Sequence, residues 1–96
     1  MTFEFDPDKS AANLAKHGID FEAAQDLWRD PDAIGGRAKS LMEPRWMLIA
    51  KKEGKTWAAI FTRRGENIRV ISVRAARTEE KAAYEQAQNQ DDGDES

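Results

Sequence analysis

The sequence predicts an α+β fold, an antiparallel sheet with helices packed on one face, in the order β-α-α-β-β-β-α. Three observations point there. The stretches "RWMLIAKK", "TWAAIFTR" and "NIRVISVR" follow one another with only short glycine-bearing turns between them. Two segments of helical period precede them and a third follows. At 96 residues the chain has room for one core and one domain.

Taken in order, "TFEF" alternates polar and aromatic residues, so Phe3 and Phe5 share one face of a short strand. Asp6-Pro7 ends it, and Asp6 or Asp8 caps the helix in "DKSAANLAKHG", where Ala11, Leu14 and Ala15 fall on one face. Gly18 stops that helix in the left-handed conformation, with Lys16 and His17 at its negative end. Asp20 caps a second helix, "FEAAQDLW", whose Phe21, Ala24, Leu27 and Trp28 make a buried stripe, and Asp30-Pro31 closes it. Residues 32–44, with Gly35-Gly36 and Pro44, read as a loop. The three strands then form a meander that turns at "KEGK" and "RGE". Thr78 caps a last helix, "EEKAAYEQAQ", with Glu79 and Glu80 in its first turn; Lys81 at the third position leaves the reciprocal capping box unmade. Residues 1–88 are expected to be the domain, and 89–96 an acidic disordered tail.

Composition narrows the chemistry. With no cysteine there is no disulfide or thiolate site, and one histidine cannot build a zinc site, so neither metal nor cofactor is expected. No apolar run approaches the roughly 18 residues of a membrane span. "MTFEFDPDKS" lacks the basic-then-apolar layout of a signal peptide, and a soluble cytoplasmic protein is the expectation. "IGGR" lacks the lysine and spacing of a phosphate-binding loop. The net charge of −3 conceals a segregated distribution. Residues 1–32 carry three basic and eight acidic side chains, residues 33–77 eleven and three, and residues 78–96 one and seven. The middle is therefore a basic block between acidic ends, a candidate footprint for phosphate, RNA or an acidic partner. Lys51, Lys52 and Lys55 within it equally suit a solvated hairpin tip.

The chemistry-bearing set is a group of arginines. Simple strand alternation puts Arg69 and Arg74 on opposite faces, brings Arg64 near Arg69, and leaves Arg74 beside Tyr84 of the last helix. Guanidinium groups can neutralise charge building on a phosphorus, and a 2′-hydroxyl attacking its own phosphate needs a proton acceptor, for which Glu80 and His17 are candidates. The same residues admit structural roles: Arg74 pairing with Glu80 or Glu85 to hold the helix, and His17 capping the first helix.

The residues Phe5, Asp6, Lys9, Asn13, Lys16-His17-Gly18, Phe21 and Ala24 resemble the opening of the BrnT toxin family. "RWMLIA" is similar to the family's arginine-containing strand, with Ala50 where glycine is usual, and Arg64, Arg69, Ile71, Ser72, Arg74, Ala76, Glu80, Tyr84 and Glu85 match its last block. The resemblance covers about residues 3 to 86 and implies a RelE-like fold and a metal-independent ribonuclease that arrests growth. It also implies a ribbon-helix-helix antitoxin of BrnA type, a heterotetramer with it, and contact with operator DNA only through that partner. Under this reading Arg64, Arg74, Glu80, Tyr84 and His17 serve catalysis, and Arg69, Lys51, Lys52 and Arg63 bind RNA. The alternative is a non-catalytic module that binds the antitoxin and tunes transcription.

Overall fold

The expected meander forms the centre of the molecule. In the computed structural model, which describes residues 2–38 and 43–93, it comprises β3 (Arg45–Lys52), β4 (Lys55–Arg64) and β5 (Asn67–Ala75). β1 (Thr2–Glu4) and β2 (Ile34–Ala38) complete a five-stranded sheet of order β1-β5-β4-β3-β2. Helix α1 (Pro7–His17), a 3-10 helix (Ala23–Arg29) and helix α2 (Thr78–Gly93) pack on it. The α+β architecture is thus the one expected, with three differences of detail.

The sheet is mixed, because β1 pairs parallel to β5. A two-residue hairpin forces its strands antiparallel, but the long connection between β1 and β5 leaves direction free. Part of the expected loop is a strand: Ile34–Ala38 pairs with β3 from Ile34↔Ile49 to Ala38↔Arg45. Two adjacent glycines hid it by interrupting any side-chain alternation, yet the free hydrogen-bonding edge of β3 still recruits them. Residues 39–42 of that expected loop lie outside the described residues. Finally, the helices do not share one face. The 3-10 helix packs on the face formed by Trp46, Leu48, Ala50, Trp57, Ala59, Phe61, Ile68, Val70 and Val73. Helix α2 lies on the second face, where Tyr84 and Ala76 meet Ile49, Ile34 and Met47.

Three of the four residues of the predicted stripe of the second helix are buried, and Trp28 is half-buried against them. Phe21, Ala24 and Leu27 are at most 1% exposed, each large side chain worth about 2 kcal/mol. Its turns are of 3-10 type and begin at Ala23, two residues later than expected, so Glu22 rather than Asp20 holds the capping position; Asp20 Oδ1 still accepts from the Ala23 amide at 2.8 Å. Phe3 packs edge-on against Trp28, and Phe5 against Phe21, so Phe3 of β1 and Phe5 just past it both face this core.

Helix α1 has the predicted ends: Asp6 Oδ1 accepts from the Asp8 amide, and Gly18 (φ +82°) closes it. Its buried face is not the predicted one. Ala11, Leu14 and Ala15 are exposed, and the helix buries Ser10 and Asn13. The reason lies in β5, whose outer edge is covered by β1 only at residues 67–69. At Val73 the Asn13 side chain stands in for a strand, accepting from the Val73 amide (3.2 Å) and donating to its carbonyl (2.9 Å). It also donates to Ile19 O, while Ser10 Oγ accepts from the Phe21 amide. Buried backbone groups demand partners more strongly than one methyl stripe demands cover.

Both central hairpins have two-residue turns. Glu53 (φ 53°) and Gly54 (φ 81°) give the β3–β4 turn two left-handed residues, the pattern of the I′ class, and Gly65 (φ 60°) opens the β4–β5 turn. Helix α2 starts one residue earlier than expected, so Thr78 is its first residue and Arg77 occupies the capping position. Glu80, now third, accepts from the Arg77 amide at 2.8 Å, supplying the half of the capping box judged absent. The helix continues to Gly93, five residues past the expected end at Gln88; residues 94–96 lie outside the described residues.

One irregularity governs where the arginines point. β5 pairs with β4 as Ile60↔Ser72 and then Phe61↔Val70, leaving Ile71 as the extra residue of a β-bulge. Below the bulge Val73 faces the core, and above it Val70 and Ile68 do. Simple alternation would have moved Val70 to the other side. The bulge therefore places Arg69, opposite Thr62, and Arg74, opposite Ala58, on the same face, which corrects the expectation that parity separates them.

Candidate functional site

That second face has two ends of different character. At the α2 end the basic side chains are engaged. Arg74 makes a bidentate pair with Glu80, at 2.7 and 2.9 Å, with both side chains largely covered. The Arg74 guanidinium holds the Glu80 carboxyl at about 2, despite burial pushing the other way and with help from the Arg77 amide. A carboxylate of such low proton affinity, with both oxygens already bonded, is a poor proton acceptor near neutral pH. Tyr84 is 2% exposed, and its hydroxyl donates to Asp30 Oδ2 at 2.7 Å. Burial and the adjacent Asp30 charge push the Tyr84 hydroxyl well above its usual range, so it keeps its proton. Burial opposes the charge of Asp30, but the Lys51 and Asp32 amides and the Tyr84 hydroxyl outweigh it and keep the carboxyl ionised. Lys51 Nζ rests 5.7 Å from the Tyr84 ring centroid. The cluster of Arg74, Glu80, Tyr84, Asp30 and Lys51 thus ties α2 to the sheet.

Past Met47, Ile60 and Ser72, the other end of the face carries arginines from three strands. The register aligns Arg45 of β3, Thr62 of β4 and Arg69 of β5 in a row, with Arg64 one step further along β4. Arg69 is one-third exposed and touches Glu4 at 3.4 Å, a long contact, and Glu4 also accepts from Asn67 Nδ2 at 3.0 Å. Arg64 is exposed. Thr62 is 3% exposed, yet its Oγ1 has no hydrogen-bond partner among the described residues, and neither does the buried Nε of Arg45.

His17 stands apart, at the end of α1. It lines a shallow cleft of about 230 Å³ with Lys9, Lys16, Asn13, Ile71 and Ser72, at the bulged edge of β5. Ser72 joins this cleft to the second face, since its strand position points the same way as Arg69 and Arg74.

The structure therefore divides the residues nominated from sequence. Arg64 and Arg69 share one end of the second face. Arg74, Glu80, Tyr84 and Lys51 gather at the other, and the rows of Arg69 and Arg74 are four residue steps apart along β4, about 13 Å at roughly 3.3 Å each. Lys52 and Arg63 belong to the core side. Lys52 Nζ donates to Asp26 Oδ2 at 2.8 Å, and Arg63 lies 5.3 Å from the Trp46 ring centroid, with Arg37 at 5.4 Å. A wider cleft of about 800 Å³ beside Trp28, Trp46, Leu48, Phe61 and Ile68 offers an aromatic surface with no proton-transfer pair in its lining. Among the described residues no three His, Asp or Glu side chains gather as a cation site, and no helix is long and apolar enough to cross a membrane. Sequence reading passed over Arg45 and Thr62: Arg45 had a signal in its basic block, whereas nothing local marked Thr62.

Compared with known families, residues 5–80 match a family model described as ribonuclease toxin, BrnT, of type II toxin–antitoxin system. Tyr84 and Glu85 lie beyond that match. No curated protein matches the chain.

Proposed function

The chain belongs to the BrnT family of ribonuclease toxins of type II toxin–antitoxin systems, and on that premise we propose that it cleaves RNA without a metal ion at the arginine-bearing end of its second sheet face. The observation that carries this reading is the β4–β5 register, which sets Arg64 opposite Asn67 and Thr62 opposite Arg69 and so puts Arg64 and Arg69 on one face, away from the cover of α2. Arg64 and Arg69 bind the backbone and neutralise charge as it grows on phosphorus. The 2′-hydroxyl attacks its adjacent phosphorus and the 5′-oxygen leaves, giving a 2′,3′-cyclic phosphate and a 5′-hydroxyl end. Alignment supplies much of the rate, and the proton of the 2′-hydroxyl needs an acceptor. With Glu80 held as an ion pair and Tyr84 buried, the candidate acceptor is His17, whose cleft meets this face at Ser72. Arg74 acts through the fold by anchoring α2, and Lys51, Lys52 and Arg63 are occupied by contacts with Tyr84, Asp26 and Trp46.

Membership in a type II system implies a cognate antitoxin. The reading extends to a ribbon-helix-helix partner of BrnA type, a heterotetramer built on the antitoxin dimer, operator contact through the antitoxin alone, and action in the bacterial cytoplasm. The test is induction of the chain alone in a bacterium, with growth and total RNA followed together. Arrest with loss of RNA is expected. Arg64→Ala should relieve both without changing the unfolding midpoint, whereas Arg74→Ala should lose activity only as it loses stability. Normal growth with intact RNA at high expression would refute the ribonuclease reading.

A further inference from the structure

Two polar groups on the second face are out of place in a finished interior. A buried hydroxyl or guanidinium nitrogen without a partner costs on the order of 1–3 kcal/mol, and native chains keep few of them. Here two occur side by side across a β3–β4 step: Thr62 Oγ1 and Arg45 Nε. The third member of the row, Arg69, is directly opposite Thr62, and its only ion-pair partner among the described residues, Glu4, is at the long distance of 3.4 Å. Adjacent strands lie about 4.8 Å apart, so Arg45 and Arg69 flank Thr62 at roughly 10 Å from each other. A hydroxyl, an Nε–H and two guanidinium arms all donate, and a tetrahedral oxyanion accepts from several directions at once.

We propose that Thr62 and Arg45, with Arg69 closing the other side, form a seat for one phosphodiester of bound RNA. The inference rests on the ribonuclease reading and adds Thr62 and Arg45 to it as phosphate-binding residues. A polyanion suits the seat better than one carboxylate of a partner does. Arg45, Arg64 and Arg69 bring three positive charges to this end of the face, and Glu4 offsets one of them. The unpaired groups are kept at a cost to the free protein because the bound strand satisfies them.

The test uses a 2′-O-methyl oligoribonucleotide, which binds without being cleaved, and follows its fluorescence anisotropy against the full chain. Thr62→Val keeps the shape and removes the hydroxyl. It should weaken binding about ten-fold, as expected for a hydrogen bond to a charged group, while leaving the unfolding midpoint unchanged or higher. Arg45→Gln should weaken binding and lower the salt slope by roughly the share of one phosphate contact. Arg29→Gln, the same charge change on an exposed side chain of the 3-10 helix, should bind within two-fold of the parent. Thr62→Val that unfolds more easily yet binds RNA normally would overturn the seat in favour of a structural hydroxyl. Variants that keep RNA and lose the antitoxin would overturn it in favour of an acidic partner residue. A parent chain that cleaves RNA while both variants bind and cleave as it does also refutes the seat, with the ribonuclease reading intact. If the parent neither binds nor cleaves RNA, the ribonuclease reading falls, and titration with inorganic phosphate judges the seat separately. Amide shifts at Thr62 and Arg45 that vanish in Thr62→Val would support an anion site, and their absence in the parent would refute it.

Discussion

At the scale of single residues, the junction between β5 and α2 depends on Glu80. Its carboxylate takes both arms of Arg74 and the Arg77 amide, so one side chain joins strand, turn and helix. Removing it would leave a largely covered guanidinium without its counter-charge, the expensive way to break an ion pair. Glu80→Gln is expected to cost about 2 kcal/mol at pH 7, measured by urea unfolding. The pair also sets an acid limit. The folded chain holds Glu80 at about 2, against 4.5 for a free glutamate, so its stabilisation is complete above about pH 4.5 and lost as the pH falls towards 2. That change is worth up to about 3 kcal/mol, and the Glu80→Gln protein should lack this component of the pH dependence between pH 5 and 2. Asn13 shows a related economy, one amide completing the backbone pairing of β5 at Val73.

At the scale of elements, the bulge in β5 decides both core and site. Ile71 adds one residue between Val70 and Ser72, so the apolar residues on either side of it face one way and Asn67, Arg69, Ser72 and Arg74 the other. Deleting Ile71 would force a choice. Either Ile68 and Val70 leave the core and Asn67 and Arg69 enter it, or β5 slips against β4 and its turn is rebuilt. Each alternative costs several buried side chains of about 2 kcal/mol apiece, so the deletion should prevent cooperative folding. Thermal unfolding by circular dichroism, with solubility as a second readout, checks this; a deletion protein that melts like the parent would show that the bulge is dispensable.

At the scale of the whole molecule, the segregated charges in the sequence meet in the fold. The acidic ends supply Asp26 and Glu80 to Lys52 and Arg74 of the basic middle, which takes these two from competition for a ligand, while Glu4 meets Arg69 only at the long distance of 3.4 Å. What stays open to solvent on the second face is a short positive row, so RNA binding should be salt-dependent but modest in slope. Three phosphate contacts at about 0.7 each predict that log affinity falls with log salt at a slope near −2. Anisotropy titrations between low and physiological salt measure it, and a slope steeper than about −5 would mean that the lysines of the β3–β4 hairpin also bind. Much of this protein was determined by its sequence alone. The meander, the stripe Phe21–Ala24–Leu27, the caps at Asp6 and Gly18, the basic middle and the blocks of the family resemblance all follow from local pattern, because each depends on residues within a few positions of one another. The tertiary structure alone decided that Arg69 and Arg74 share a face, that Arg74 pairs with Glu80 rather than Glu85, that Asn13 completes a strand edge, and that Thr62 lies buried beside Arg45 without a partner among the described residues. Those facts depend on pairing register across strands, and a single extra residue at Ile71 is enough to reverse a face that local periodicity had assigned.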